Sequence, residues 1–234
     1  MDKVYRNTAI FIVLIIFGVQ WGFYRVYTSE FPNFKGNPTF DHIHGALMMI
    51  WMVLLVVQPL LISTGRANLH RQLGKISYVL GPIVIISLFM IGKTGYWNAV
   101  AEKIPAIESH TFMVLDIRGM VSFALFWALA MINRKNSAAH MRYMIATGIL
   151  AIGPGVGRGL ISEFGFSFHN SLTVTDIVEL AIPAVCLGYD IYKKKDYRPW
   201  LTITIVMLVS AILWQVKYSD GWQAFAAKYA ALFY

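Results

Sequence analysis

Residues 40–63 read FDHIHGALMMIWMVLLVVQPLLIS, and after His44 no charged side chain follows before Ser63. A helix needs about 20 predominantly apolar residues to cross the hydrocarbon core of a bilayer, so this stretch is a membrane span. It opens with an aspartate and two imidazoles, groups that are costly inside a bilayer unless they face a partner or a polar cavity. At 3.6 residues per turn, His44 shares one stripe with Met48, Trp51, Leu55 and Gln58, whereas His42 points almost the opposite way.

The same pattern recurs along the chain. Of 234 residues, 57% are hydrophobic and 14% charged, and the mean hydropathy is +0.57. Soluble domains carry about a quarter charged residues. Seven spans are expected at 8–27, 42–63, 73–93, 109–132, 140–162, 172–192 and 199–217. The first is too long for a cleavable leader and lacks a small-residue cleavage site. The expected fold class is therefore all-α: a single integral membrane domain over 1–234, with a core four-helix bundle at about 42–162. Helices 8–27, 172–192 and 199–217 are expected at its periphery. Long loops are expected at 28–41 and 94–108, tight basic turns at 64–72, 133–139 and 193–198, and an amphipathic surface helix at 220–234.

The net charge of +8 is topological rather than a footprint for nucleic acid. Placing the N-terminus inside and the C-terminus outside puts 12 of the 20 Lys and Arg residues on the cytoplasmic side, where basic residues set orientation. The expected location is the bacterial inner membrane, as a multi-pass protein. Cys186 is the only cysteine, so neither a disulfide within the chain nor a thiolate metal cluster is available. The run GPGVGRG at 153–159 lies inside a span and lacks the strand context of a phosphate loop.

Histidines mark the start of four successive spans: His44, His70, His110 and His140. Alternating topology places His44 and His110 near the outer face and His70 and His140 near the inner face. Two depth-matched imidazole pairs suit two b-type haems, His44/His110 outside and His70/His140 inside. The stripe from His140 carries Met144, Thr147, Ala151 and Arg158, and the adjacent small residues admit either a macrocycle or close helix packing. Arg158 is a candidate anchor for a haem propionate or an anionic substrate, and Arg71 and Arg142 for an anion or a propionate. Hydrated interfacial histidines without a ligand role are the plainer account. Asp116, Arg118, Arg158, Asp176 and Glu179 fall toward the outer side. Arg158 is expected to pair with Asp176 and Glu179, locking segments five and six. Asp116 and Arg118 lie about 200° apart on their helix and cannot line one site.

HGALMMIW, residues 44–51, resembles the start of the second core helix of cytochrome b561 domains. That resemblance implies a four-helix core holding two b haems on histidines of the second and fourth, and third and fifth, helices. It also implies electron transfer between the membrane faces, with a quinol or redox protein as partner. His44 with Trp51 and Gln58, LHRQLG at 69–74 and AHMRYM at 139–144 are similar to a family of uncharacterised bacterial multi-pass proteins over about 40–160. Two alternatives stand beside the electron carrier. One is a zinc or copper enzyme with an outer site of His42 or His44, His110 and Asp116. The other is a cofactor-free transporter, or a homo-oligomeric or complex subunit, for which the Gly-Pro break at 153–154 speaks.

Overall fold

The computed structural model describes residues 3–34 and 39–234. Ten α-helices follow one another: α1 Lys3–Phe23, α2 Thr39–Ser63, α3 Ala67–Gly74, α4 Ser77–Ala101, α5 Ala106–Ile132, α6 Ser137–Ile149, α7 Ile152–Phe164, α8 Phe168–Tyr192, α9 Arg198–Gln215 and α10 Asp220–Phe233. Taking α6 and α7 as one interrupted span, seven helical segments are long and apolar enough to cross a membrane. One end of the bundle carries the turns with Arg66, Arg134, Lys135 and Lys193–Lys195. It is called the basic face below, and the opposite end, where α10 lies, the tail face.

The helices form a ring. α1 packs on α2, α2 on α4, α4 on α5, α5 on α9, α9 on α8, α8 on α7, and α7 returns to α1. Inside the ring, in the half nearer the basic face, stands α6, which touches α1, α2, α5 and α9. Its residues Ala139, Arg142, Tyr143 and Ile145–Ile149 are all buried, as expected of a helix with neighbours on every side.

At Leu150–Ala151 the span breaks. Pro154 has no N–H to donate to the Leu150 carbonyl, so the ladder loses a rung at this point. Instead α7 starts anew, and its first-turn amide, Gly153 N–H, donates to Glu179 Oε1 of α8 at 2.7 Å. A carboxylate there satisfies an orphan donor and faces the positive end of the new helix. The glycines of α7 then seat it in the ring wall. A Cβ at Gly155 would meet Val19 Cα of α1 at 2.7 Å, and one at Gly157 would meet Ser171 Oγ of α8 at 3.3 Å. With α7 displaced into the wall, the ring above α6 has no central helix.

Several sequence expectations are corrected here. The stretch 64–72 is no tight turn, because it holds most of the surface helix α3. α4 runs on to Ala101, so the loop expected at 94–108 shrinks to the short connection before α5. Its polar end is supported by α10: Lys93 Nζ donates to the Phe233 carbonyl at 3.1 Å and Trp97 Nε1 to the Tyr234 carbonyl at 3.0 Å. Asp176 pairs with Arg118 rather than Arg158. Both Arg118 Nη atoms reach the two Asp176 oxygens, at 2.9 and 2.8 Å, and Nη1 also donates to the Ser210 carbonyl. The lock therefore joins α5 to α8 and α9, and Arg158 is left out of it.

Both members of that pair are nearly inaccessible, so removing one strands the other charge at a cost of about 3–5 kcal/mol. Arg118→Ala is expected to lower the thermal unfolding midpoint in detergent sharply, while the apolar double replacement Arg118→Met with Asp176→Leu regains most of the loss. An Arg118→Ala midpoint equal to wild type would contradict the assignment.

Candidate functional site: a polar chamber above a closed floor

The centre of the bundle is sealed by three side chains. Trp51 Nε1–H donates to Thr147 Oγ1 at 3.0 Å, and the Trp51 and Phe123 rings meet edge to face with centroids 5.1 Å apart. The Thr147 hydroxyl proton goes to the Met144 carbonyl at 2.7 Å, so all three groups are satisfied and buried. This contact brings α2, α5 and α6 to one level.

Counting outward from that floor places the site. His44 precedes Trp51 by seven residues and Asp116 precedes Phe123 by seven, so each lies on nearly the same stripe as its floor residue and about 10 Å nearer the tail face. α7 brings Arg158 from the opposite wall, and its Nη1 turns back to the Pro154 carbonyl at 2.8 Å. Arg158 lies in electrostatic range of Asp41, Asp116 and His44. The side chain is solvent-accessible. The Phe23 ring covers one face of the guanidinium, 4.6 Å from its carbon.

His44 is held in one tautomer. Its Nδ1 lies 3.1 Å from Ser87 Oγ on α4, and the single hydroxyl proton of Ser87 is already donated to the Val84 carbonyl at 2.8 Å. Nδ1 must therefore carry the ring proton, and Nε2 keeps its lone pair. Asp116 stands against Gly92 of α4, where a Cβ would meet Asp116 Cβ at 2.8 Å and Tyr234 Oη at 2.7 Å. Burial, reinforced by the negative charge of Asp116, pushes the Tyr234 phenol up, so it stays a neutral hydroxyl. A crevice of about 230 Å³ between α4 and α5, lined by Tyr96, Ser109, Phe112 and Met113, also reaches Asp116.

Arg118, Arg142 and Arg158 all lie within candidate spans, and they differ. Arg118 is bound bidentately by Asp176. Arg142 pairs with Asp190 at 2.5 Å and donates to the Asp196 carbonyl at 3.0 Å, so its guanidinium is spent on α8 and the turn that follows. Among the described residues Arg158 has one protein acceptor, the Pro154 carbonyl, for five N–H donors. Among the described residues Asp116 has no hydrogen bond or ion pair.

The other expected site residues lie apart. His110 stands six residues before Asp116, about 9 Å nearer the tail face and turned well away from it. Its Nδ1 bonds Gln223 Oε1 of α10 at 3.1 Å, and its ring stacks on Tyr96. One iron between His44 and His110 does not fit this placement, since their imidazoles differ in both depth and direction. On the basic side, His140 Nδ1–H donates to the Ala130 carbonyl at 2.8 Å and leaves Nε2 bare. His70 and His140 come into electrostatic range. With its amide oriented to accept from Gly74 N–H, Gln58 donates to the His70 carbonyl and to His70 Nδ1, which leaves the proton of the neutral ring on Nε2. A metal at that nitrogen would need a lone pair there, so holding a haem iron on His70 Nε2 would take a change of tautomer. Arg71 bonds Asn68 at 2.6 Å on the surface of α3. His42 bonds Tyr27 Oη at 2.5 Å and lies against Phe34, in the loop that follows α1. Among the described residues no group of three His, Cys, Asp or Glu side chains gathers as metal ligands.

Ser87 escaped the sequence reading. A serine in a membrane helix ordinarily bonds its own preceding turn, and nothing in its neighbourhood marks it as the partner of a histidine on another helix. The approach of Arg158 to within electrostatic range of His44 and Asp116 escaped it too, because it depends on where α7 sits after the break in the fifth span.

His70 lies on α3, outside the spans. Burial lowers its affinity for a proton, with His140 and Arg71 adding to the effect. Its folded pKa thus sits below the ordinary 6.5, so folding is favoured most above that value and loses stability as pH falls through it. The unfolding midpoint is expected to drop between about pH 7.5 and 5.5, and His70→Gln should flatten that slope; an unchanged slope would contradict it. Comparison of the chain with protein-family models, with curated proteins and with solved structures finds no match.

Proposed function

We propose that this multi-pass membrane protein is a solute-binding carrier whose chamber, open toward the tail face, holds a small organic molecule by its anionic group. The observation that carries this reading is the unpaired guanidinium of Arg158. Among the described residues it is held by the Pro154 carbonyl and the Phe23 ring, and it lies in electrostatic range of Asp41, Asp116 and His44. A planar fork with free N–H groups binds carboxylates bidentately. Interrupted helices that line a site near mid-membrane are a recurring feature of transporters, and the break that frees this chamber is of that kind. His44 Nε2 and Asp116 supply acceptors at the same level, so a bound molecule is oriented as well as held.

The test is a thermal-stability screen of the purified protein against small carboxylates, phosphates and amino acids. At least one of these classes should raise the unfolding midpoint of wild type, by mass action on the folded state, and Arg158→Gln should abolish the shift. No stabilisation by any of them would overturn the reading.

A second reading, electron transfer by b-type haem, has one observation in its favour. His44 and His140 each donate Nδ1–H to a fixed acceptor, as does His110 toward Gln223 Oε1, and each keeps Nε2 bare. That tautomer, ordered by a hydrogen bond on the far nitrogen, is the one that ligates a metal. These three rings stand in separate surroundings, so each would offer one protein ligand. Protein expressed with sufficient haem should then show reduced-minus-oxidised Soret and alpha bands that weaken in His44→Ala or His140→Ala. Their absence would reject this reading.

A further inference from the structure

We propose that the crevice of about 230 Å³ between α4 and α5 is a binding site for a compact organic ammonium, whose charged head reaches Asp116 and whose apolar body lies against Tyr96, Phe112 and Met113. Neither Arg158 nor His44 lines this crevice, so the proposal goes beyond the chamber and does not rest on it. Its walls are one stripe from each helix, Gly95 to Glu102 on α4 and Ser109 to Asp116 on α5. Ala99, Ser109 and Met113 are buried at its floor, whereas Gly95, Asn98, Glu102 and Phe112 are exposed at its rim. Asp116 stands level with Gly92, whose added Cβ would meet Asp116 Cβ at 2.8 Å. Glu102 lies further along α4 by a rise of about 15 Å, at the tail face. The crevice therefore runs from an exposed carboxylate at its mouth to a second carboxylate at its inner end.

Charge selects the occupant. Both charged side chains that line the crevice are acids, Glu102 and Asp116. Lys93 of α4 does not line it and donates to the Phe233 carbonyl instead. Among the described residues Asp116 makes no hydrogen bond or ion pair, and an acid inside a span without a partner marks a path or site for a cation. A metal ion such as calcium takes about six or more oxygens, but the two carboxylates stand too far apart to share one. The Ser109 hydroxyl is turned to the Pro105 carbonyl at 3.4 Å. The rest of the lining is largely apolar and suits a hydrocarbon body, with Tyr96 and Phe112 supplying aromatic rings that attract a cation. Gly95 accounts for the space itself. A Cβ at Gly81 or Gly92 would run into Trp127 or Asp116, so packing requires those glycines, whereas a Cβ at Gly95 would meet nothing within 4 Å. Glycine inside a helix is disfavoured relative to alanine, and no packing contact demands it here; what it leaves is the opening of the crevice.

Calorimetric titration of the purified, detergent-solubilised protein with benzylammonium, benzyl alcohol and benzoate tests the proposal, each corrected for its heat in detergent alone. The three share one ring and differ in charge. Benzylammonium should bind wild type at least about tenfold more tightly than either of the others, a difference of about 1.4 kcal/mol. Asp116→Asn, nearly isosteric, should erase that advantage. Gly95→Leu, whose Cβ enters open space, should fill the crevice and remove binding; either variant alone suffices to place the ligand. Benzyl alcohol binding as tightly as benzylammonium would overturn the cation site, as would an advantage that survives Asp116→Asn. Undiminished binding to Gly95→Leu, or no binding of benzylammonium to wild type, would overturn it equally. Those failures leave the anion chamber standing, and a failed anion screen leaves the crevice standing, so the two readings are tested apart.

Discussion

The structure depends on where the fifth span stops being one helix. Pro154 removes one rung of the ladder, and Glu179 replaces lost backbone bonding by accepting the amide of Gly153. In a medium without water, a break of this kind persists only where protein satisfies the freed groups. Here the partner is a carboxylate on α8 placed at the start of α7, where the helix dipole favours negative charge. Everything above the floor follows from that contact. α6 fills the bundle axis on the basic side, and α7 joins the ring wall beside α1 and α8.

The ring wall is thin where α7 enters it because its glycines let backbones approach. Gly22 of α1 faces the Gly155 carbonyl, and Gly159 lies under the Trp21 ring. Small residues at helix contacts are the usual means of packing in lipid, where burying apolar surface gives no advantage between helices. The alternation of glycine with larger residues in 153–159 thus places two glycine faces against α8 and α1, and leaves the stripe of Pro154 and Arg158 turned to the axis. The sequence GPGVGRG was legible as a packing motif, yet which neighbour each glycine met was not.

Charge placement separates support from binding. Arg118 and Arg142 each have a carboxylate and a backbone carbonyl, and their pairs tie distant helices together. Among the described residues Arg158 has neither an acid within bonding distance nor a second carbonyl. On the page of the sequence all three look alike, as arginines within or beside apolar spans. The assignment of Asp176 to Arg158 failed for a geometric reason: a neighbour in sequence order, segment five beside segment six, is not a neighbour at every depth once segment five is displaced.

By itself the sequence determined the class of the fold. Its hydropathy, its seven apolar runs and its charged turns leave room only for a bundle of membrane-crossing helices, because length and apolarity are properties of each segment alone. It also determined the stripes, so His44 with Trp51, and the separation of Asp116 from Arg118, followed from helical periodicity. Tertiary structure decided which stripes meet. It set His44 level with Asp116 and Arg158, sent His110 to Gln223 on α10, and gave His70 to Gln58. Depth across a bundle depends on how helices slide and tilt against one another, and that is fixed by contacts such as Trp51 with Thr147 and Phe123, which no periodicity within a single helix encodes.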